Sequence, residues 1–125
     1  MSYTIEHTES NILTMRWDGD LTVAGLMEVT NARIAFAKAH VQGDYVVILD
    51  VREGKMKELN VRAAQWAAHA DEHMIHLLII GKSIMAQTLM NILARLGKWQ
   101  FEFIDDPTAA LERARQLLAK HAEPA

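Results

Sequence analysis

Two apolar runs without alternation constrain the fold more than any other feature of the sequence. They lie at residues 45–49 and 77–80, and every position in them is apolar or aromatic. A strand with one face in water alternates apolar and polar residues, whereas a strand covered on both faces does not. The two runs therefore predict the centre of a parallel sheet that has helices on both sides.

Strands and helices are predicted to alternate along the rest of the chain. Residues 3–8 and 12–18 each alternate apolar and polar positions around turn residues 9–11, which predicts a hairpin of two half-exposed strands. Thr22 and Ser83 are suitable N-caps for two of the helices. The other predicted elements are strands at 45–49, 77–80 and 99–104, and helices at 22–40, 60–71, 83–96 and from Pro107 onward.

The predicted order is β-β-α-β-α-β-α-β-α, an α/β fold with a mixed, mostly parallel five-stranded sheet and four helices. Strands that alternate with helices pair in parallel through right-handed crossovers, while the opening hairpin adds an antiparallel strand. The strand at 99–104 alternates, so it is predicted near an edge. The 125 residues fit a single domain over residues 1–121, with a frayed tail at 122–125.

Composition excludes several classes of function. The chain has 13 Lys and Arg against 16 Asp and Glu, a net charge of −3, which gives no general attraction to nucleic acid or anionic membranes. The absence of cysteine excludes disulfides, thiol catalysis and thiolate metal sites. No basic, apolar leader and no apolar stretch of about 20 residues is present. We therefore expect a cytoplasmic protein without integral membrane association.

One motif suggests a metal site. His69, Glu72 and His73 match the H-x-x-E-H pattern of inverted zinc proteases, in which both histidines share a helix face. The predicted helix is ending at this point, so His73 is not expected to continue the helical geometry. A catalytic zinc also needs a third protein ligand. Solvated histidines at a helix end are the simpler interpretation, and adventitious metal binding stays open.

No other segment forms a convincing catalytic set. Residues 81–83 resemble the end of a phosphate-binding loop, but the full pattern needs a glycine where His76 stands. No G-x-S-x-G motif places a serine on a strained turn. We therefore predict a protein that is not an enzyme, with no catalytic residues, no metal site and no cofactor.

Three short segments resemble the STAS domain of bacterial anti-sigma-factor antagonists and its STAS/CRAL-TRIO relatives. Residues 17–22 are similar to the family's entry into its first helix, residues 47–51 to its central strand ending in an aspartate, and residues 103–111 to its last strand and helix entry. The resemblance covers nearly the whole chain. It implies the same fold and a regulatory role.

The resemblance also implies a phosphorylated serine or threonine at the start of the helix after the central strand. Phosphate at that point adds about −2 charge to an interaction surface and releases the partner. Here Asn60 stands at that position, and no Ser, Thr or Tyr occurs from Val51 through Lys82. Regulation by phosphorylation of this helix is therefore excluded.

The same region is our candidate partner-binding surface. Charged residues lie beside the first turn of a predicted helix, whose free backbone N–H groups favour anions. A plain solvated loop is the alternative interpretation of such charges. The leading hypothesis is a non-catalytic regulatory module that docks a protein partner through Arg52, Lys55, Lys57, Asn60 and Arg62.

The third helix suggests a second surface. Its apolar residues exceed one stripe, since Ile84 and Met90 lie away from the face that contains Met85. Burial by neighbouring helices explains this pattern, but so does a homodimer interface or a pocket for an apolar small molecule. The rival hypothesis is therefore an apolar-ligand or lipid-binding carrier of the STAS/CRAL-TRIO type that uses Ile84, Met85 and Met90.

Overall fold

The predicted order of elements is present in the computed structural model, which describes residues 2–56, 60–81, 84–96 and 100–122. The strands are β1 (Ser2–Glu9), β2 (Ile12–Leu21), β3 (Tyr45–Met56), β4 (Met74–Ile80) and β5 (Phe101–Ile104). The helices are α1 (Val23–His40), α2 (Val61–His69), α3 (Ile84–Leu96) and α4 (Pro107–Ala122).

The strands form one mixed sheet in the order β1-β2-β3-β4-β5. β1 pairs antiparallel with β2, and every later neighbour pairs in parallel. The predicted mixed sheet and the edge position of β5 are thus confirmed. A hairpin followed by crossover helices gives this arrangement because a short turn reverses the chain, whereas a helix returns it to the same end of the sheet.

Both faces of the central strands are buried. Leu13, Val47 and Ile79 lie on one face, in a cluster with residues of α1, α2 and α3. Val46 and Leu78 lie on the other, against Ala110 and Ala114 of α4. Because successive strand residues point to opposite faces, helices on both sides remove the alternation that a solvent-exposed face would impose.

Polar helix caps begin three helices. The side-chain oxygens of Thr22, Asn60 and Asp106 accept hydrogen bonds from the backbone N–H three residues later, at 3.1, 2.9 and 2.8 Å. These bonds satisfy N–H groups that have no partner inside the helix. The predicted starts of α1, α2 and α4 are therefore explained, while Ser83 lies outside the described residues.

Two predicted boundaries are wrong for one reason. The strand predicted over 12–18 continues to Leu21, and the strand predicted over 45–49 continues to Met56. The two extensions pair with each other, from Asp18 with Glu53 to Leu21 with Met56. Backbone hydrogen bonds to a distant strand thus override the local turn signals of residues 18–20.

Smaller corrections concern the ends of other elements. β4 begins at Met74 rather than Leu77 because Met74 already pairs with Tyr45. α2 ends at His69 instead of Asp71. The described part of the last strand begins at Phe101, since Trp99 lies outside the described residues. Ala122 belongs to α4 and residues 123–125 lie outside the described ranges, so the frayed tail stays a prediction.

Candidate functional site

The extended halves of β2 and β3 form the first part of the candidate site. β4 ends at Ile80, opposite Asp50, so the following part of β3 has only β2 as a described neighbour. We call the resulting two-stranded extension, residues 18–21 and 52–56, the ribbon. The side chains of Arg52 and Lys55 are exposed on it. The candidate partner-binding residues Arg52 and Lys55 therefore lie on a pair of strands and not in a loop.

Asp50 holds Arg52 in one orientation. Its carboxylate accepts hydrogen bonds from the Arg52 backbone N–H at 3.1 Å, from Nε at 3.0 Å and from Nη2 at 2.7 Å. The side-chain bonds from Arg52 are the main reason that the pKa of Asp50 lies below its ordinary value. Bidentate pairing fixes a planar guanidinium, and Arg52 remains about half exposed at 48%. Asp50 was not among the site residues predicted from the sequence.

The remaining partner-binding candidates lie at the start of α2. Asn60 is the N-cap, and its side-chain oxygen is already occupied by the N–H of Ala63. Arg62 is exposed in the first turn of the helix. Lys57 lies outside the described residues. The described candidates thus fall on the ribbon (Arg52, Lys55) and the first turn of α2 (Asn60, Arg62), with Asn60 in a structural role.

An open groove of about 320 Å³ lies on the α4 side of the sheet, next to Asp50. Its polar lining comes from alternate positions of the opening hairpin, which place Thr4 and Glu6 of β1 beside Thr14 and Arg16 of β2. This groove was not predicted from the sequence, although the alternation of apolar and polar residues in the two hairpin strands indicated a polar face. Charges of both signs line it, so it has no strong preference for a cation or an anion.

A cavity of about 100 Å³, lined mainly by buried side chains, lies between the sheet and α1, α2 and α3. Its wall is mostly aliphatic, and it includes Met90, which is 6% exposed. Met90 therefore packs inside the chain, as the interpretation of burial by neighbouring helices expects. The side chains of Ile84 and Met85 lie outside the described residues. Thr30 in the wall is satisfied, because its hydroxyl donates to the Leu26 carbonyl at 2.7 Å.

The H-x-x-E-H residues do not share a helix face. α2 ends at His69 with Ala70 as its C-cap, and Glu72 and His73 lie in the turn that leads into β4. The prediction that His73 leaves the helical geometry is confirmed. Across residues 2–56, 60–81, 84–96 and 100–122, no group of three His, Asp or Glu side chains is placed to hold a metal ion.

A buried histidine links α4 to the sheet. His76 of β4 is 6% exposed, and its Nε2 lies 2.9 Å from Glu102 Oε2 of β5. This contact has the distance of an ion pair but not the geometry of a hydrogen bond. Glu102 accepts a hydrogen bond from Arg113 Nε of α4 at 3.0 Å, and His76 Nδ1 lies 3.3 Å from Gln100 Oε1. The evident role of these contacts is to fasten α4 to β4 and β5.

Asp44 joins three segments through two histidines. His73 Nδ1 lies 2.9 Å from Asp44 Oδ1, and His121 Nε2 lies 2.8 Å from Asp44 Oδ2. These bonds lower the pKa of Asp44, the bond from His73 most strongly. The bond to Asp44 in turn raises the pKa of His73. The contact connects the start of β3, the turn before β4 and the last turn of α4.

We expect this contact to add a pH-dependent increment of stability. Because the pKa of Asp44 is lowered, its contribution is present above its ordinary pKa of 3.8 and is lost as pH falls through the folded value. Because the pKa of His73 is raised, its contribution is complete below its ordinary pKa of 6.5 and is lost as pH rises through the folded value.

Urea unfolding across a pH series tests this expectation. The difference in free energy of unfolding between the unmodified chain and Asp44→Asn should be largest between pH 3.8 and pH 6.5 and should shrink on both sides. Glu28→Gln, on the exposed side of α1, should show no such maximum. A difference for Asp44→Asn that is independent of pH would contradict the assignment.

Comparisons with known proteins identify the fold. No family model and no curated protein matches the chain. A DUF3478-family protein from Shewanella loihica, described as uncharacterised with a SpoIIAA-like fold, matches at a TM-score of 0.60 and 18% identity, over 90% of this chain and 92% of that one. The chain therefore has the SpoIIAA-like, or STAS-like, α/β fold.

Two structures of SpoIIAA itself also match. The unphosphorylated form of this anti-sigma factor antagonist aligns at a TM-score of 0.56 and 17% identity, over 91% of this chain and 98% of that one. The phosphorylated form of the Bacillus protein, described as a cell fate determinant, aligns at 0.56 and 13% identity, over 90% and 98%. In the described part of this chain, no helix has the length and apolar content to span a membrane.

Proposed function

We propose that this chain is a non-catalytic regulatory module of the cytoplasm that docks a partner protein. The docking surface comprises Arg52, Lys55, Lys57, Asn60 and Arg62. The fold it shares with an anti-sigma factor antagonist supports a regulatory role. The fold alone does not determine function, so the proposal depends on the chemistry of the surface.

The observation that carries the proposal is the Asp50–Arg52 pair. Three hydrogen bonds hold an exposed guanidinium at the end of the sheet, beside the exposed Lys55. Ordering a long side chain at an interface costs about 0.5 to 1.5 kcal/mol, and Arg52 is ordered in advance. Arginine is also enriched where proteins meet. The ribbon thus presents a prepared cationic contact for an acidic partner surface.

Control of this docking would differ from control by phosphate at the start of α2. The segment from Val51 through Lys82 contains no hydroxyl side chain, and the amide of Asn60 caps the helix. A phosphate would add charge at the helix start and disturb the interface. We propose that the affinity is set by the acidic surface of the partner protein and not by modification of residues 51–82 of this chain.

Charge reversal on the surface tests the proposal. We expect Lys55→Glu combined with Arg62→Glu to weaken capture of the partner at least about tenfold, because like charges then face an acidic surface. Neither residue contacts Asp50 in the described structure, so the Asp50–Arg52 pair is left intact. Affinity capture from lysate of the source cells identifies the partner, and calorimetry with the purified partner measures the loss.

A matched control separates docking from net charge. Lys38→Glu combined with Arg95→Glu makes the same change in charge on exposed positions of α1 and α3. This control should bind the partner as the unmodified chain does. If both double variants bind equally well, or lose affinity equally, the surface around Arg52 is not the docking site.

The interior cavity favours a second candidate function, a carrier or sensor of an apolar small molecule. An apolar cavity of about 150 Å³ engineered in another protein stays dry and binds benzene. The cavity here, at about 100 Å³, is somewhat smaller and has a similarly aliphatic wall. A ligand of this size would be a short chain rather than a full lipid tail.

A further inference from the structure

Arg33 is a buried cation in the middle of α1. Its residue is 7% exposed, and an arginine side chain keeps its charge in proteins. Its Nη2 donates to the Ala67 carbonyl at 3.2 Å, whereas its Nε has no hydrogen-bond partner among the described residues. Buried charges are normally paired, because removing a charge from water costs several kcal/mol. The Arg33 Nε therefore needs an acceptor that the described residues do not supply.

No carboxylate of the described residues pairs with Arg33, although Arg16, Arg52, Arg113 and Arg115 each pair with an acid. Arg33 also forms a side-chain hydrogen bond with Tyr45, whose hydroxyl donates to Asp71 Oδ2 at 2.7 Å. Burial raises the pKa of Tyr45, so this hydroxyl stays neutral and is not a counter-anion. Asp71 is thus linked to this region through a neutral hydroxyl group.

Arg33 and Trp17 both line the interior cavity. Trp17 is 8% exposed, and its indole Nε1 also has no hydrogen-bond partner in the described part of the chain. The rest of the wall is mainly aliphatic, with Val47, Leu49 and Ile79 from the sheet. Two of the residues that line this apolar cavity thus each carry an N–H without a partner among the described residues, and one of them is a cation. Such a lining suits a ligand with an apolar body and an anionic acceptor.

We propose that the cavity binds a short-chain aliphatic carboxylate whose carboxylate group pairs with the Arg33 guanidinium. The carboxylate supplies the missing counter-charge and accepts from Nε, while the chain contacts the aliphatic wall. The Trp17 N–H is a second donor within the same wall. The cavity volume of about 100 Å³ limits the chain to a few carbons. This proposal rests on the apolar-ligand function, of which it specifies the ligand class.

Comparison of pentanoate with 1-pentanol on the full chain tests the proposal. At neutral pH, calorimetry should show one pentanoate per chain, bound at least about tenfold more tightly than 1-pentanol, since a charge-assisted hydrogen bond is the difference between them. In proton–nitrogen correlation spectra, pentanoate should shift the assigned Arg33 Nε signal. If 1-pentanol binds as tightly as pentanoate, or the Arg33 Nε signal does not move, the proposal is overturned.

Arg33→Met removes the cation and keeps most of the side-chain volume. It should weaken pentanoate about tenfold or more and leave 1-pentanol binding within about twofold, while Arg95→Met, at an exposed position of α3, should change neither. If Arg33→Met does not fold, the comparison of the two probes on the unmodified chain still decides. If 1-pentanol binds as tightly as pentanoate, the apolar-ligand function is retained and the carboxylate proposal is overturned. If neither compound binds, both the apolar-ligand function and the carboxylate proposal are overturned.

Discussion

Replacing Leu78 by alanine is expected to lower the free energy of unfolding by about 2 to 5 kcal/mol. Leu78 is fully buried at 0% exposure in the cluster between the sheet and α4. The substitution removes apolar atoms from the core and leaves a cavity. Ala110 and Ala114 of α4, also at 0% exposure, belong to the same cluster. Their methyl side chains are too short to fill that space.

Anchoring of α4 makes relaxation around the cavity difficult. Arg113 and Arg115 of α4 are fixed by charged hydrogen bonds to Glu102 of β5 and Glu9 of β1. The helix therefore cannot move toward the sheet without disturbing contacts to both edge strands. Cavities that cannot collapse cost most, so we expect a value in the upper half of the range.

Urea denaturation of the purified chain measures this loss. Leu117→Ala is the matched control, because Leu117 packs against the same cluster but is only partly buried. The control should lose clearly less stability than Leu78→Ala. Equal losses for the two variants would show that this cluster is not packed as tightly as its burial indicates.

The buried strands could be predicted from sequence because their signal is local. Residues 45–49 and 77–80 are apolar at every position, and only coverage of both faces accounts for that pattern. The extension of β3 to Met56 has no such signal. It depends on pairing with residues 18–21, more than 30 positions earlier in the chain, and no local propensity contains that information.

Only part of the candidate docking surface could be predicted from the sequence. Charged residues at 52 and 55 indicate exposure, which the structure places on the ribbon. That Arg52 is held by Asp50 depends on the twist and register of β3, which composition does not specify. Asn60 stands where a phosphorylatable hydroxyl would be expected, and the structure assigns it the separate task of capping α2.

One residue in the sequence indicates that the interior contains an unusual site. Arg33 lies among the apolar positions that face the core from α1, where a charge is out of place. That no described carboxylate pairs with Arg33 could not be predicted, because the bond of Asp71 to Tyr45 depends on tertiary packing. Which acid meets which base is decided by tertiary packing, and a single sequence does not reveal it.

Among glycines 43, 54 and 81, an added Cβ makes its closest contact at Gly81. It follows β4 with a φ of +125°, in a region that residues with a side chain rarely adopt. A Cβ there would lie 3.1 Å from Val51 Cγ2 and 3.2 Å from the backbone nitrogen of Arg52. The second contact is with backbone, which cannot rotate away as a side chain can.

We expect Gly81→Ala to lower the free energy of unfolding by about 2 to 4 kcal/mol, the sum of backbone strain and overpacking. Gly43→Ala is the matched control, because Gly43 also has a positive φ, +75°, but a Cβ there meets nothing within 4 Å. The control should cost about 1 kcal/mol. Urea unfolding of both variants measures the difference, since the rarer φ at Gly81 and its contact with β3 both predict a larger loss there than at Gly43. Similar losses would contradict the close approach of Gly81 to Val51 and Arg52.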